Sequence, residues 1–370
     1  MHIRHLIPLF DRARDRSEAL VLATVVDTVG STYTKRGAQM LFTRDERYSG
    51  MLSGGCLEAD LAGHARTVAI TGEPRRVRYD QTDPDAQLLG LGSGCEGTMD
   101  ILLQRLDPTG RWEPLAGMLE AFRARRTESV LLVVQSSDPG IPLGSGRFAG
   151  TGAGFGAGPG GDARIALALG AVREAVPGPH ATPQLHREAL PGVDALRLPV
   201  EPPPQILLLG AGPDARPVAE LFAFLDWDVT VCDHREHYAQ CDFFPQAREV
   251  RTADVRSIAD FLAGRRTDAA APPFDAAVVM SHHLDTDREY LRALAATAIP
   301  YLGLLGPAAR RDKILAGLGG DAHRLKDRLH APTGLAIGAT TPAGIALSIA
   351  AEIHACLGRA CPDSREGRGS

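Results

Sequence analysis

A short apolar strand that runs straight into a glycine turn constrains this chain more than any other stretch. Gln205-Ile206-Leu207-Leu208-Leu209 leads into Gly210-Ala211-Gly212-Pro213-Asp214-Ala215, and an amphipathic segment, Pro217 to Leu225, follows. Glycines at the first and third positions let the backbone turn sharply and approach a pyrophosphate, whose charge meets the free N–H groups of a helix start. A second apolar run, Asp228-Val229-Thr230-Val231-Cys232-Asp233, ends on an acid about 20 residues further on, where a ribose hydroxyl is held in such units. The combination predicts a Rossmann unit in the second half of the chain. It does not name a reaction.

Beyond that turn, strand and helix alternate. The pattern predicts strands at Phe274 to Met280 and Ile299 to Leu305, and helices at Asp285 to Thr297 and Ala308 to Leu318. A final helix opens at Thr341-Pro342, an N-cap followed by a proline at its first position. Residues 205–358 therefore read as an α/β, doubly wound parallel sheet. Residues 199–204 are proline-rich and read as a linker, residues 1–198 as a separate domain, and residues 359–370 as a disordered tail.

The first domain carries a faint repeat. Ser17 to Val26 and Thr127 to Ser136 each follow an arginine-rich helical segment and lead into small-residue turns. Two related strand-rich halves, pairing into one sheet, would explain it. The second copy is interrupted at 144–161 by a glycine- and alanine-rich tract, which reads as a mobile loop because it has little apolar surface to bury.

With 370 residues, two cores are expected rather than one. A net charge of −5 gives no support for a nucleic-acid partner, and no apolar run approaches the roughly 20 residues that span a bilayer. Six cysteines lie far apart with no zinc or C-x-x-C spacing, so a reducing, cytoplasmic setting is expected.

Two glycine-flanked thiols stand out. In Ser53-Gly54-Gly55-Cys56-Leu57-Glu58, small residues precede a helical pattern from Leu57 to Ile70, which puts Cys56 near a helix start. The helix dipole favours a thiolate there, suited to a nucleophile, a persulfide carrier or a soft-metal contact; the competing reading is a small buried hydrophobe. The second is Gly90-Leu91-Gly92-Ser93-Gly94-Cys95-Glu96-Gly97, where clustered glycines imply close approach of backbone to a ligand or another strand.

Taken in order, the chain resembles the XdhC/CoxI accessory proteins. The resemblance rests on Gly30-Ser31 with Gly37 to Met40, the Gly54-Gly55-Cys56-x-Glu58 turn, and the Gly94-Cys95-x-Gly97 turn. It continues through Gly210-Ala211-Gly212, Val231-Cys232-Asp233-His234-Arg235, Tyr301 to Gly306 and Thr341-Pro342 to Ile353. The chain departs from the family pattern at Pro213, where a histidine is frequent, and at Glu96, where a glycine is usual. The resemblance implies an N-terminal XdhC/CoxI-type α/β domain, and a maturation factor that binds molybdenum cofactor as molybdopterin or its dinucleotide form. Such a factor supports sulfuration of the cofactor by a cysteine desulfurase and delivers it to an apo molybdenum hydroxylase. It implies a carrier rather than a catalyst, acting as a homo-oligomer, a dimer, with no catalytic residue assigned. Cys56 and Cys95 become candidate molybdenum contacts. Gly54, Gly55, Glu58, Gly94, Gly210, Gly212, Asp233, Arg235, His282, Gly303 and Gly306 become candidate cofactor-binding residues.

Other signals are weaker. Ser281-His282-His283-Leu284-Asp285-Thr286-Asp287 looks like a metal cluster, but neighbouring residues at a strand end point apart, so cofactor contact or helix capping is expected instead. Asp233 and Arg235 suit a ribose or pterin contact, or an ordinary ion pair. Glu352 and His354 read as solvated or satisfied residues. The rival function is an NAD(P)-dependent oxidoreductase using the Rossmann site, with His282, His283 and Asp285 as its proton-relay candidates. No nucleophile elbow or phosphate-binding P-loop is present.

Overall fold

The computed structural model describes residues 3–55, 57–80, 97–156, 165–166, 170, 181–264 and 274–358. The chain divides into two compact units, Met1–Pro202 and Pro203–Ser370.

In the first unit two five-stranded antiparallel sheets are built on one plan. The first contains β1 (Leu20–Gly30), β2 (Gln39–Thr43), β3 (Tyr48–Ser49), β4 (Arg75–Asp80) and β5 (Gly97–Leu106), in the order β3-β2-β1-β5-β4. The second contains β6 (Glu128–Ser136), β7 (Gly146–Phe148), β8 (Gly154–Phe155), β9 (Gln184–Leu190) and β10 (Val193–Val200), in the order β8-β7-β6-β10-β9. The repeat expected from the sequence is therefore present, but as two sheets rather than one. The reason is visible in the side-chain alternation. Leu20, Leu22 and Val26 of β1 share one core with Val130, Leu132 and Val134 of β6, together with α1 (Ile7–Asp15) and α3 (Leu115–Arg123). The opposite faces are covered separately. Val21, Ala23 and Val25 pack against Leu61, Ala65 and Val68 of α2 (Glu58–Thr71), while Leu131 and Val133 pack with Ile165 and Ala195. Each β1-type strand is apolar on both faces, so it needs a layer on each side.

Two boundaries differ from expectation. Pro199 and Val200 do not begin a linker; they complete β10, paired with Ser129 and Glu128. Within the tract 144–161, read from composition as a loop, residues 146–148 and 154–155 are strands that extend the second sheet. Its glycines serve close packing: a Cβ at Gly146 would run into the Leu131 carbonyl and come within 2.6 Å of the Phe155 ring. Residues 157–161 and the tail 359–370 lie outside the described residues.

The second unit is a six-stranded, fully parallel sheet. It contains β11 (Gln205–Leu209), β12 (Asp228–Asp233), β13 (Glu249–Thr252), β14 (Ala276–Val279), β15 (Tyr301–Leu304) and β16 (Leu329–His330), in the order β13-β12-β11-β14-β15-β16. This is the 3-2-1-4-5-6 order of a Rossmann sheet. Alternate strand residues face different layers. Leu207, Leu209 and Val279 pack against α5 (Ser257–Gly264), α6 (Leu284–Ala295) and α7 (Ala308–Leu318). Ile206, Leu208 and Val278 pack against α4 (Ala215–Phe224) and α8 (Pro342–Leu357). The start of α8 is as expected, with Thr341 Oγ1 accepting from the Gly344 N–H at 3.1 Å.

Cys232, buried, and Cys241, exposed, form no disulfide, whereas Cys356 in the last turn of α8 is disulfide-bonded, a bond the cysteine spacing does not foresee. Among the described residues no helix is long and apolar enough to cross a membrane.

If the β7–β8 segment is packed structure, Gly146→Ala should lower stability by about 2 kcal/mol or more, the range seen for overpacked sites. Urea unfolding of the full chain measures this; an unchanged midpoint would return the segment to a loose loop.

Candidate functional site

The turn ahead of α2 is organised around one buried carboxylate. Glu58, the first residue of α2, is 3% exposed. Its Oε1 accepts the Leu52 and Ser53 N–H groups at 2.9 and 2.8 Å, and its Oε2 accepts Ser53 Oγ at 2.5 Å and the Gly55 N–H at 3.0 Å. Ser53 Oγ in turn accepts from the Leu57 N–H at 2.8 Å, which closes the start of the helix. Burial works against the charge on Glu58, but the hydrogen bonds from Ser53 and Leu52 outweigh it and hold the carboxyl below its ordinary value. Glu58 is thus fully occupied with its own turn and shapes it from beneath.

Both glycines of the turn have left-handed backbone, with φ of +78° at Gly54 and +115° at Gly55. The exposed Tyr33 ring lies beside Gly54, 3.3 Å from where a Cβ would stand. At Gly55 a Cβ would meet nothing within 4 Å among the described residues. Cys56, Gly94 and Cys95 lie outside the described residues. Gly97 opens β5, and a Cβ there would press on the Val29 and Ser31 carbonyls, so its glycine serves strand pairing.

In the second unit the candidate residues gather at the carboxyl ends of β11, β12 and β14, where open α/β sheets bind ligands. Asp233 ends β12 and is fully buried. Its Oδ2 accepts the Ala211 N–H at 2.7 Å and Arg235 Nη2 at 2.8 Å; its Oδ1 accepts the Arg235 N–H and Nε at 2.8 and 2.9 Å. Burial opposes this charge too, and the Arg235 guanidinium together with the Ala211 N–H overcomes it, so the carboxyl is held below its ordinary value. Asp233, buried, and Arg235, half-buried, are therefore a forked pair clamped onto the glycine turn, with Arg235 stacked over the Tyr238 ring. Burial pushes the neighbouring His234 imidazole below its usual pKa.

The glycines of the turn have distinct jobs. Gly210, with φ of +129°, abuts the Met280 carbonyl and Ser281 N–H at the end of β14, which a side chain would strike. Among the described residues, Gly212 has only the Asp214 carboxylate beside it. His282, also left-handed at φ +64°, places Nε2 2.7 Å from Asp214 Oδ2. His283 is the N-cap of α6: its Nδ1 lies 3.4 Å from the Thr286 N–H, which donates to it. The two imidazoles diverge, as strand-end geometry predicts, and no metal-holding group of three or more such side chains occurs among the described residues.

Gly306, at φ +125°, lets the Arg310 side chain pass, and Arg310 Nη2 bonds Asp287 Oδ2 at 2.6 Å. Asp287 Oδ1 also accepts Ser281 Oγ at 2.5 Å. This Ser281–Asp287–Arg310 chain ties β14 to α7, and sequence reading missed it because Arg310 comes from a different helix. Gly303 does not join these residues. It lies within β15, where its bare Cα admits Thr333. Nearby, Glu352 is buried and satisfied by Tyr301, His330 and the Gly334 N–H at 2.6, 3.2 and 2.7 Å.

Glu58→Ala should leave three backbone N–H groups without their acceptor and cost on the order of 3 kcal/mol, read by urea unfolding. The pH dependence has a definite sign. Because folding depresses the Glu58 pKa, its contribution is complete above the ordinary value of 4.5 and is lost as pH falls through the lower folded value. The stability gap between wild type and Glu58→Gln should therefore narrow in acid, and a gap that widens would contradict the buried anion. In the second unit, Gly210→Ala should destabilise the fold, whereas Gly212→Ala should leave the melting temperature within about 2 °C and shift only Asp214. Equal melting losses would refute this division of roles.

Comparison with known proteins agrees with the geometry. Residues 206–353 match the XdhC Rossmann domain, and residues 13–80 match the XdhC and CoxI family. A Bacillus subtilis (strain 168) protein named as a probable xanthine dehydrogenase subunit is 31% identical over 347 residues, 93% of this chain and 95% of that protein. The Escherichia coli (strain K12) protein named molybdenum cofactor insertion chaperone PaoD is 32% identical over 106 residues, 29% of this chain and 31% of its own length. A crystal structure described as a xanthine dehydrogenase from Bacillus halodurans aligns with a TM-score of 0.75 at 28% identity, covering 98% of this chain and 97% of that one. With a relative this similar along almost its whole length and both characteristic regions matched in order, the chain belongs to the XdhC/CoxI family.

Proposed function

We propose that this protein binds molybdenum cofactor, as molybdopterin or its dinucleotide form, supports its sulfuration with a cysteine desulfurase, and delivers it to an apo hydroxylase of the xanthine dehydrogenase type. It acts as a carrier rather than a catalyst, as a homodimer. The observation that carries this reading is the Ser53–Gly55 turn: a corner braced by Glu58, with no described residue over Gly55, and followed in sequence by Cys56. A rigid opening beside a thiol suits a sulfur-bound molybdenum, because thiolates are soft ligands. The relatives' names, for xanthine dehydrogenase and for cofactor insertion, support the same role. Once in the client, the molybdenum centre supplies the hydroxylation chemistry; this chain's residues only hold and release it. The second unit offers a phosphate seat of its own at Gly210–Gly212 and the first turn of α4.

The nicotinamide alternative draws on the strand order of the second unit. Its ribose anchor, however, is spent: both Asp233 oxygens serve Ala211 and Arg235. Its proton-relay residues are also engaged, with His282 on Asp214, His283 capping α6, and Asp285 on Arg288 at 2.5 Å.

The test is to purify the full chain from cells that make molybdopterin and to measure bound molybdenum and pterin. Cys56→Ala should melt like wild type yet retain several-fold less molybdenum, with poorer activation of an apo hydroxylase; Cys95→Ala should behave alike if both thiols serve one cofactor. Wild-type molybdenum content in Cys56→Ala would remove that thiol from the site. Bound nicotinamide without pterin would favour the oxidoreductase.

A further inference from the structure

In a dinucleotide-binding turn the second glycine is kept bare so that the backbone can approach a pyrophosphate. Here that space is filled by the chain itself. A Cβ added at Gly212 would lie 2.8 Å from Asp214 Oδ1 and, among the described residues, within 4 Å of nothing else. Asp214 occupies the N-cap position of α4, yet its carboxylate makes no capping bond to the first turn. It leans back over Gly212 instead, and its other oxygen accepts a hydrogen bond from His282 Nε2 at 2.7 Å.

The partner is held in place with equal definition. His282 adopts a left-handed backbone, uncommon for a residue other than glycine, directly after the Met280–Ser281 segment against which Gly210 packs. The connection leaving β14 and the turn leaving β11 are thus tied together across the mouth of the crevice. Asp214 and His282 side chains are 28% and 59% exposed, so the tie lies at the surface, where a ligand can reach it.

We propose that Asp214 is a specificity-determining residue of this crevice: its carboxylate, fastened by His282, stands where a ligand's pyrophosphate must sit, so that a phosphate ligand enters only by displacing it. The inference rests on the reading of the Gly210–Gly212 turn as a phosphate seat. The positive end of α4 favours one anion there, and two at this separation repel. When the carboxylate swings out, His282 is released and its N–H can serve the incoming phosphate. Apparent affinity falls by the fraction of time the seat is free, as for any binding-competent minor state. Such a seat suits a carrier, since cargo that enters by displacing an internal group leaves when that group returns. It also keeps free nicotinamide dinucleotides from filling the fold.

The test uses calorimetric titration of the full chain with inorganic pyrophosphate and, separately, with NAD+. Asp214→Asn removes the charge with little change in shape, and Asp214→Ala removes the group; each should keep the wild-type melting temperature. Both variants should bind pyrophosphate at least tenfold more tightly than wild type. A parallel gain for NAD+ supports dinucleotide exclusion, and no gain for NAD+ overturns that part. Equal pyrophosphate binding by wild type and variants overturns the gate and leaves the crevice a phosphate seat. No pyrophosphate binding by any of the three overturns both gate and seat, while molybdenum retention at the Cys56 turn is judged by its own assay.

Discussion

A buried carboxylate gathering backbone N–H groups is the interaction on which each candidate site depends. Glycine-rich turns have no side chains to hold them, and left-handed corners such as Gly54-Gly55 lose more chain entropy on ordering than other residues would. Glu58 and Asp233 meet that cost locally, each accepting from the turn it underlies. Removing an acid from water is expensive unless its hydrogen bonds are complete, and at both positions they are. The same arrangement that makes the turns rigid removes these two acids from the list of groups free to touch a ligand.

Much of the second unit was legible in the sequence. Alternating apolar strands and capped helices predict the parallel sheet, and α7 runs from Ala308 to Leu318 as the pattern indicates. Periodicity carries this information because the central strands β11, β12, β14 and β15 are buried on both faces and each helix covers one stripe of the sheet. The first unit was less legible. Its repeat could be seen, but whether two apolar strands pair in one sheet or stack in two depends on which layers cover them, and that is a tertiary matter.

Composition misled most at 144–156. Glycine there reads as a loop because it lacks apolar surface, yet Gly146 is glycine because β6 and the Phe155 ring leave no room for a Cβ. The same ambiguity runs through the site. Gly303 and Gly306 look alike in sequence, but one admits Thr333 within a strand and the other admits Arg310 beside the crevice. Of the two roles open to Asp233, a ribose or pterin contact or an ordinary ion pair, the structure shows the ion pair, with a forked arginine two residues away. Sequence spacing identifies the acid; only the fold shows what it is bonded to.

The duplicated frame of the first unit has a consequence for how this protein can change over time. Both sheets follow one strand order, yet β9 and β10 are joined by Pro191 and Gly192 alone, whereas residues 81–96 lie between β4 and β5. Closing the frame therefore needs no more than a hairpin, so the 16 residues that carry Cys95 between β4 and β5 exceed what the shared strand order requires. Both halves contribute layers to the shared core, but only the half that starts with β1 carries in its sequence the glycine corner and both thiols.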